Sequence, residues 1–107
     1  MKKRGSERLQ YNFEWDPKKA KINWEKHKVR FEHAATVFRD PLAVSIFDSE
    51  HSDFEDRWVT VGLSYSGNLL VVHHTFNEIN ASNVNIRIIS SRKATNRENQ
   101  EYRKEKQ

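Results

Sequence analysis

The residues of this chain that could do chemistry fall into three groups in its second half. Glu55 and Arg57 stand at the start of one alternating segment, and His73 and His74 close the next. Arg87 interrupts a third, "VNIRIIS", which runs into Ser90, Ser91, Arg92 and Lys93. Carboxylate, imidazole and guanidinium are the groups that metal-free cleavage of RNA uses. A base takes the 2′-hydroxyl proton, cations hold the phosphorane, and an acid protonates the leaving oxygen. A glutamate or a histidine can fill either proton-transfer role, and spacing does not say which. The same set has a structural reading, in which Arg87 pairs with Glu55 or Glu78 across a sheet.

Other chemistries find less support. The chain has no cysteine, which removes thiolate nucleophiles, disulfides and cysteine-based zinc sites. Its five histidines, His27, His33, His51, His73 and His74, match no metal-ligand motif. His73 and His74 are neighbours on a strand, so they point to opposite faces and cannot share an ion. The three glycines, Gly5, Gly62 and Gly67, form no phosphate-cradling loop. No metal and no cofactor are expected.

The elements that must position these residues follow from periodicity. "YNFEW" alternates as a short strand or an extended lead-in. Asp16-Pro17 opens a helix that places Ala20, Trp24 and His27 on one face. Phe31, Ala34, Ala35 and Phe38 repeat at helical spacing in "RFEHAATVFRD", which Asp40-Pro41 ends. The period then becomes two. "LAVSIF", "RWVTVGLSY", "LLVVHHTF" and "VNIRIIS" read as strands, with a turn at "SGN" and a loop at "NEINAS". In the last strand Val84, Ile86 and Ile88 share one face, and Asn85, Arg87 and Ile89 the other. Thr95 and Glu98 have capping-box spacing, so a final helix starts near Asn96. Two N-terminal helices, an antiparallel sheet of three to four strands and a C-terminal helix make an α+β fold.

The chain of 107 residues carries a net charge of +4, with 36% hydrophobic and 32% charged residues. That length fits one domain, residues 11–107, after a flexible basic arm over residues 1–10, "MKKRGSERLQ". The arm lacks the apolar stretch of a secretory signal, and no apolar run is long enough to span a bilayer. The expected location is the cytoplasm, without a membrane partner. The charge suits a polyanion such as nucleic acid, or an acidic protein.

Taken together the motifs carry a resemblance. "FEWDPKKAKINWEKHKVRFEHAATVFRDP" resembles the N-terminal half of the BrnT family, toxins of type II toxin–antitoxin pairs. The matching positions are Trp15, Asp16, Lys19, Asn23, Lys26, His27, Val29, Phe31, Ala34, Asp40 and Pro41. "HSDFEDRWVTVG" and "IRIISSRKATNRENQEY" are similar to the family's later motifs. Lys28 takes the usual glycine position, His33 an acidic one and Ser91 an alanine. The loop "NEINASN" also differs from the usual short basic turn. The resemblance implies a RelE-like fold and a metal-independent ribonuclease that inhibits translation. It further implies neutralisation by a BrnA-like ribbon-helix-helix antitoxin, with operator DNA bound only through that antitoxin. It makes Glu55, Arg57, Arg87, Arg92 and Tyr102 the candidate catalytic residues, and His51, His74 and Lys93 candidate RNA contacts. A rival from another class is a catalytically inactive, toxin-like module that acts as an antitoxin-bound corepressor. An RNA-binding domain that does not cut is a third.

Overall fold

The structure is a computed structural model that describes residues 9–104. Residues 1–8 of the expected arm lie outside the described residues, whereas Gln10 already opens a strand. The elements run β1 (Gln10–Glu14), α1 (Pro17–His27), α2 (Phe31–Ala35), β2 (Val44–Phe47), β3 (Arg57–Leu63), β4 (Leu69–Thr75), β5 (Asn77–Glu78), β6 (Asn83–Lys93) and α3 (Asn96–Lys104). Single 3-10 turns occupy Thr36–Arg39 and Ser49–His51.

Helix α1 begins as its sequence dictates. The Asp16 carboxylate accepts from the Lys18 amide at 2.8 Å, and Pro17 fills the first turn. It ends at Lys28, whose φ of 59° is left-handed and whose N–H reaches the Trp24 carbonyl. A side chain in that conformation costs about 1 kcal/mol relative to the glycine expected there. The buried stripe of α1 runs through Ala20, Asn23 and His27, not Trp24, which is 38% exposed under the stacked guanidinium of Arg30. Asn23 replaces it at the sheet because its amide donates to the Val29 and Ser91 carbonyls at 3.0 and 2.8 Å. Its oxygen accepts from the Ser91 amide at 3.0 Å. Leaving those buried backbone groups unpaired would cost more than leaving one indole wet.

The segment expected as one second helix is α-helical only to Ala35 and tightens into a 3-10 turn from Thr36. Thr36 Oγ donates back to the His33 carbonyl at 2.7 Å, offering the backbone an alternative partner at that point.

The sheet is mixed and larger than expected. Strand order is β1-β6-β4-β3-β2, with β5 also paired to β6, making six strands rather than three to four. The pairing of β1 with β6 is parallel, from Gln10–Asn83 to Glu14–Arg87; the others are antiparallel. Tyr11 and Phe13 hold β1 in place by packing on Phe38, with ring centroids 6.0 and 5.5 Å away. The core fills the inner face of the sheet beneath α1 and α2, with Phe31, Ala34, Val37, Leu70, Val72, Val84, Ile86 and Ile88 all buried. Close approach explains Gly62, where a Cβ would sit 3.0 Å from Ala43 Cβ and 3.2 Å from the Val37 carbonyl.

Strand β6 carries a bulge. His73 pairs with Ser90 and His74 with Ile88, so Ile89 is an extra residue. Val84, Ile86 and Ile88 face inward before it and Ser91 after it. Arg92 therefore lands on the same outer face as Arg87, although strict alternation would separate them.

Candidate active site

The outer face of the sheet, opposite α1 and α2, gathers the polar residues. One oxygen of Glu55 accepts from Nη2 of Arg87, and from Nη2 of Arg57 at 3.4 Å. The Arg87 hydrogen bond holds the Glu55 carboxyl below its ordinary range; the charges of Arg87 and Arg57 act the same way and burial opposes them. Arg57 Nε is buried without a hydrogen-bond partner among the described residues. Glu55 stands just before β3, and the loop leading to it is pinned. The Ser52 hydroxyl donates to the Asp48 carbonyl at 2.6 Å and accepts from the Arg57 amide at 3.0 Å.

His73 is half-buried on this same face, paired with Val59 and Ser90. It lies two positions along β4 from Thr75, which pairs with Arg57 and whose hydroxyl accepts from the Arg87 amide at 3.1 Å. Burial lowers the His73 pKa most, followed by the charge of Arg92; Asp48 opposes, while His51 and Arg57 lower it further. The imidazole is thus neutral at pH 7 and able to accept a proton. His51 sits at the rim, exposed, with Nδ1 2.9 Å from the Asp48 carboxylate. That contact leaves the Nε2 edge of the ring unengaged by Asp48.

Arg92 shares the face but has a separate partner. Both of its terminal nitrogens bond Glu98, at 2.8 and 2.9 Å. Glu98 also accepts from the Thr95 amide at 2.8 Å, and the Thr95 hydroxyl accepts from the Glu98 amide at 3.1 Å. This is the expected capping box. Arg92 chiefly, with Thr95, pushes the Glu98 pKa down to about 2. Tyr102 is 8% exposed and its hydroxyl donates to Asp40, which also receives the Leu42 and Leu63 amides at 2.9 Å. Burial first, and then Asp40, pushes the tyrosine up to about 12. In this position Tyr102 anchors α3.

Two expected RNA contacts lie elsewhere. His74 is 1% exposed; Nε2 is 2.6 Å from the Thr60 hydroxyl, Nδ1 2.8 Å from the Thr75 carbonyl, and Phe38 packs on the ring. It belongs to the core and cannot meet RNA there, and burial lowers its pKa to about 4. Lys93 faces the other side, beside Lys28, Val29 and Leu70, because the bulge gives the outer position to Arg92. The residue that sequence reasoning passed over in favour of His74 is His73. The available signal was parity: His74 alternates along β4 with Leu70 and Val72 of the core, and His73 with Val71 and Thr75 on the other face. Among the described residues no three His, Asp or Glu side chains gather as a metal ion would require.

The comparisons with known proteins bear on this arrangement. The family described as "Ribonuclease toxin, BrnT, of type II toxin-antitoxin system" matches residues 15–98. The chain belongs to the BrnT family. Membership implies an antitoxin partner and an RNA target. The fold agrees with the crystal structure, at 1.1 Å resolution, of the Brucella abortus ribonuclease toxin BrnT, at a TM-score of 0.53. That protein is 20% identical, and the match covers 81% of this chain and 99% of the Brucella one. No curated protein matches the chain significantly. The BrnT match spans Glu55, Arg57, Arg87, Arg92 and Glu98, whereas Tyr102 falls beyond it. Among the described residues no helix is long and apolar enough to cross a membrane.

Proposed function

We propose that this chain is a metal-independent RNA endonuclease toxin working on the outer face of its sheet. The convergence of Glu55, Arg57 and Arg87 beside a neutral His73 carries the reading. Arg87 and Arg57 hold the scissile phosphate, and Glu55 fixes both guanidiniums. His73 takes the proton of the 2′-hydroxyl as O2′ bonds to phosphorus. His51, oriented by Asp48, protonates O5′ as the P–O5′ bond breaks, leaving a 2′,3′-cyclic phosphate and a 5′-hydroxyl. Cutting RNA stops translation, and a BrnA-like ribbon-helix-helix antitoxin neutralises the toxin and carries it to operator DNA. The α+β arrangement is read as a RelE-like variant acting in the cytoplasm. The test is purified protein with RNA in EDTA. Cleavage that Arg87→Ala abolishes is expected; no cleavage at high enzyme, with Arg87→Ala matching wild type in cells, would sink the proposal.

One observation favours a second reading, an inactive corepressor subunit. All three arginines of the face are already matched by Glu55 and Glu98. Expression of the chain alone in a bacterial host separates the two. Growth arrest with loss of translation supports the toxin; normal growth with folded product supports the module.

A further inference from the structure

A cleft of about 340 Å³ opens beside Arg87, on the side away from His73, and beyond Arg87 and Glu55 its walls take no part in the cleavage chemistry above. Glu14, Asp56, Phe76, Asn77 and Asn85 line it with Arg87 and Glu55. Glu14 stands opposite Arg87 in the parallel register, yet Arg87 pairs with Glu55 instead. Among the described residues the Glu14 carboxylate has no hydrogen bond or ion pair. Asn85 accepts at Oδ1 from Asn12 at 3.3 Å, which leaves its NH2 group to donate. Asn77 pairs with Asn85 across β5 and β6 and brings a second amide. Phe76 is 36% exposed and gives the cleft an aromatic wall.

We infer that this cleft binds a guanine base next to the scissile phosphate. The assignment rests on the ribonuclease reading and names its substrate preference. A carboxylate accepts two hydrogen bonds side by side, and among the four bases only guanine presents adjacent donors, N1–H and the N2 amino group. Adenine and cytosine put a ring-nitrogen acceptor beside their amino group, which would face Glu14 lone pair to lone pair. Uracil has a single N–H between two carbonyls. Guanine O6 then receives an Asn85 or Asn77 amide N–H, and the base stacks on Phe76 as single-stranded RNA bases stack on aromatic rings. Arg87, at the boundary of cleft and active face, holds the phosphate that joins the base to the cut.

Two measurements on the full chain decide the matter. The first is an NMR titration of 15N-labelled protein with 3′-GMP, 3′-AMP, 3′-CMP and 3′-UMP. The expectation is that 3′-GMP binds about tenfold tighter than the others, the discrimination a two-bond contact supplies. Its shifts should centre on Glu14, Phe76, Asn77 and Asn85. Glu14→Gln, folded by the same spectrum, should bring 3′-GMP and 3′-AMP to within about twofold. Equal affinities, shifts away from the cleft, or a preference that Glu14→Gln leaves intact would each overturn the assignment. The second is sequencing of cut ends from a random RNA pool. Guanosine enriched at one position next to the cut, and lost in Glu14→Gln, supports the cleft. Cutting without base preference overturns the cleft and leaves the nuclease standing. No cutting by wild type overturns the nuclease, and the titration alone then decides the cleft.

Discussion

Two arginine–glutamate clusters share the outer face and are built from the same residue types, yet they are fitted for different work. In the Arg92 cluster both terminal nitrogens and both carboxylate oxygens are engaged. Both Glu98 oxygens bond the guanidinium, one also accepts a backbone amide, and the assembly doubles as the N-terminal cap of α3. In the Arg87 cluster one Glu55 oxygen serves two arginines, each through Nη2 alone, and both guanidinium side chains remain more than a third exposed. A saturated network specifies structure; one with spare donors can meet the charge of a transition state. Residue type alone therefore does not distinguish the two clusters; the pattern of engaged guanidinium nitrogens does.

Substitutions probe that difference. Arg87→Ala should lower kcat/KM for RNA cleavage by about 100- to 1000-fold, as loss of a transition-state donor does, while Arg92→Ala should cost less than about tenfold. Equal losses would mean that the clusters act as one site. His73→Gln should slow cleavage about 100-fold. As the base, His73 is active when neutral, so the wild-type rate should rise with pH through its lowered pKa, and the variant's profile should lose that limb. A limb of opposite slope would make His73 the acid. Glu98 contributes to stability rather than rate. Its folded pKa of about 2 lies below the ordinary 4.5. Its contribution is therefore complete above about pH 4.5 and lost as pH falls toward about 2. Screened by solvent it is worth about 1 kcal/mol, and denaturation of Glu98→Gln should show a flatter acid limb. Thr95→Ala should cost about 0.5–1 kcal/mol in thermal unfolding, the value of an N-cap, with cleavage unchanged.

Much of the fold was legible because it is written locally. Asp16-Pro17, the Thr95–Glu98 box and the alternation through Val84, Ile86 and Ile88 each depend on near neighbours, and each formed as read. Even the departure at Lys28 produced the left-handed residue that the motif requires. The parallel β1–β6 pair was not legible, since it joins distant segments and leaves no local trace. Trp24 misled because size suggests burial, whereas Asn23 had three backbone hydrogen bonds to make. At the site, Glu55 with Arg57 and Arg87 came from motif spacing. The burial of His74 rather than His73 was not legible because adjacent strand residues are distinguished only by which face of the sheet is covered.

The extra residue at Ile89 has a consequence for the whole C-terminal end. A ribbon of alternating side chains behaves like a parity code, and one inserted symbol inverts everything that follows it. Pairing without the bulge, with Ile89 opposite His73, would turn the segment from Ser90 onward through a half rotation. Lys93 would then look out over the outer face, and Arg92 would press toward Leu70. The chain would leave the sheet on the side already occupied by α1 and α2. One unpaired residue thus chooses the side of the sheet from which the chain passes into α3.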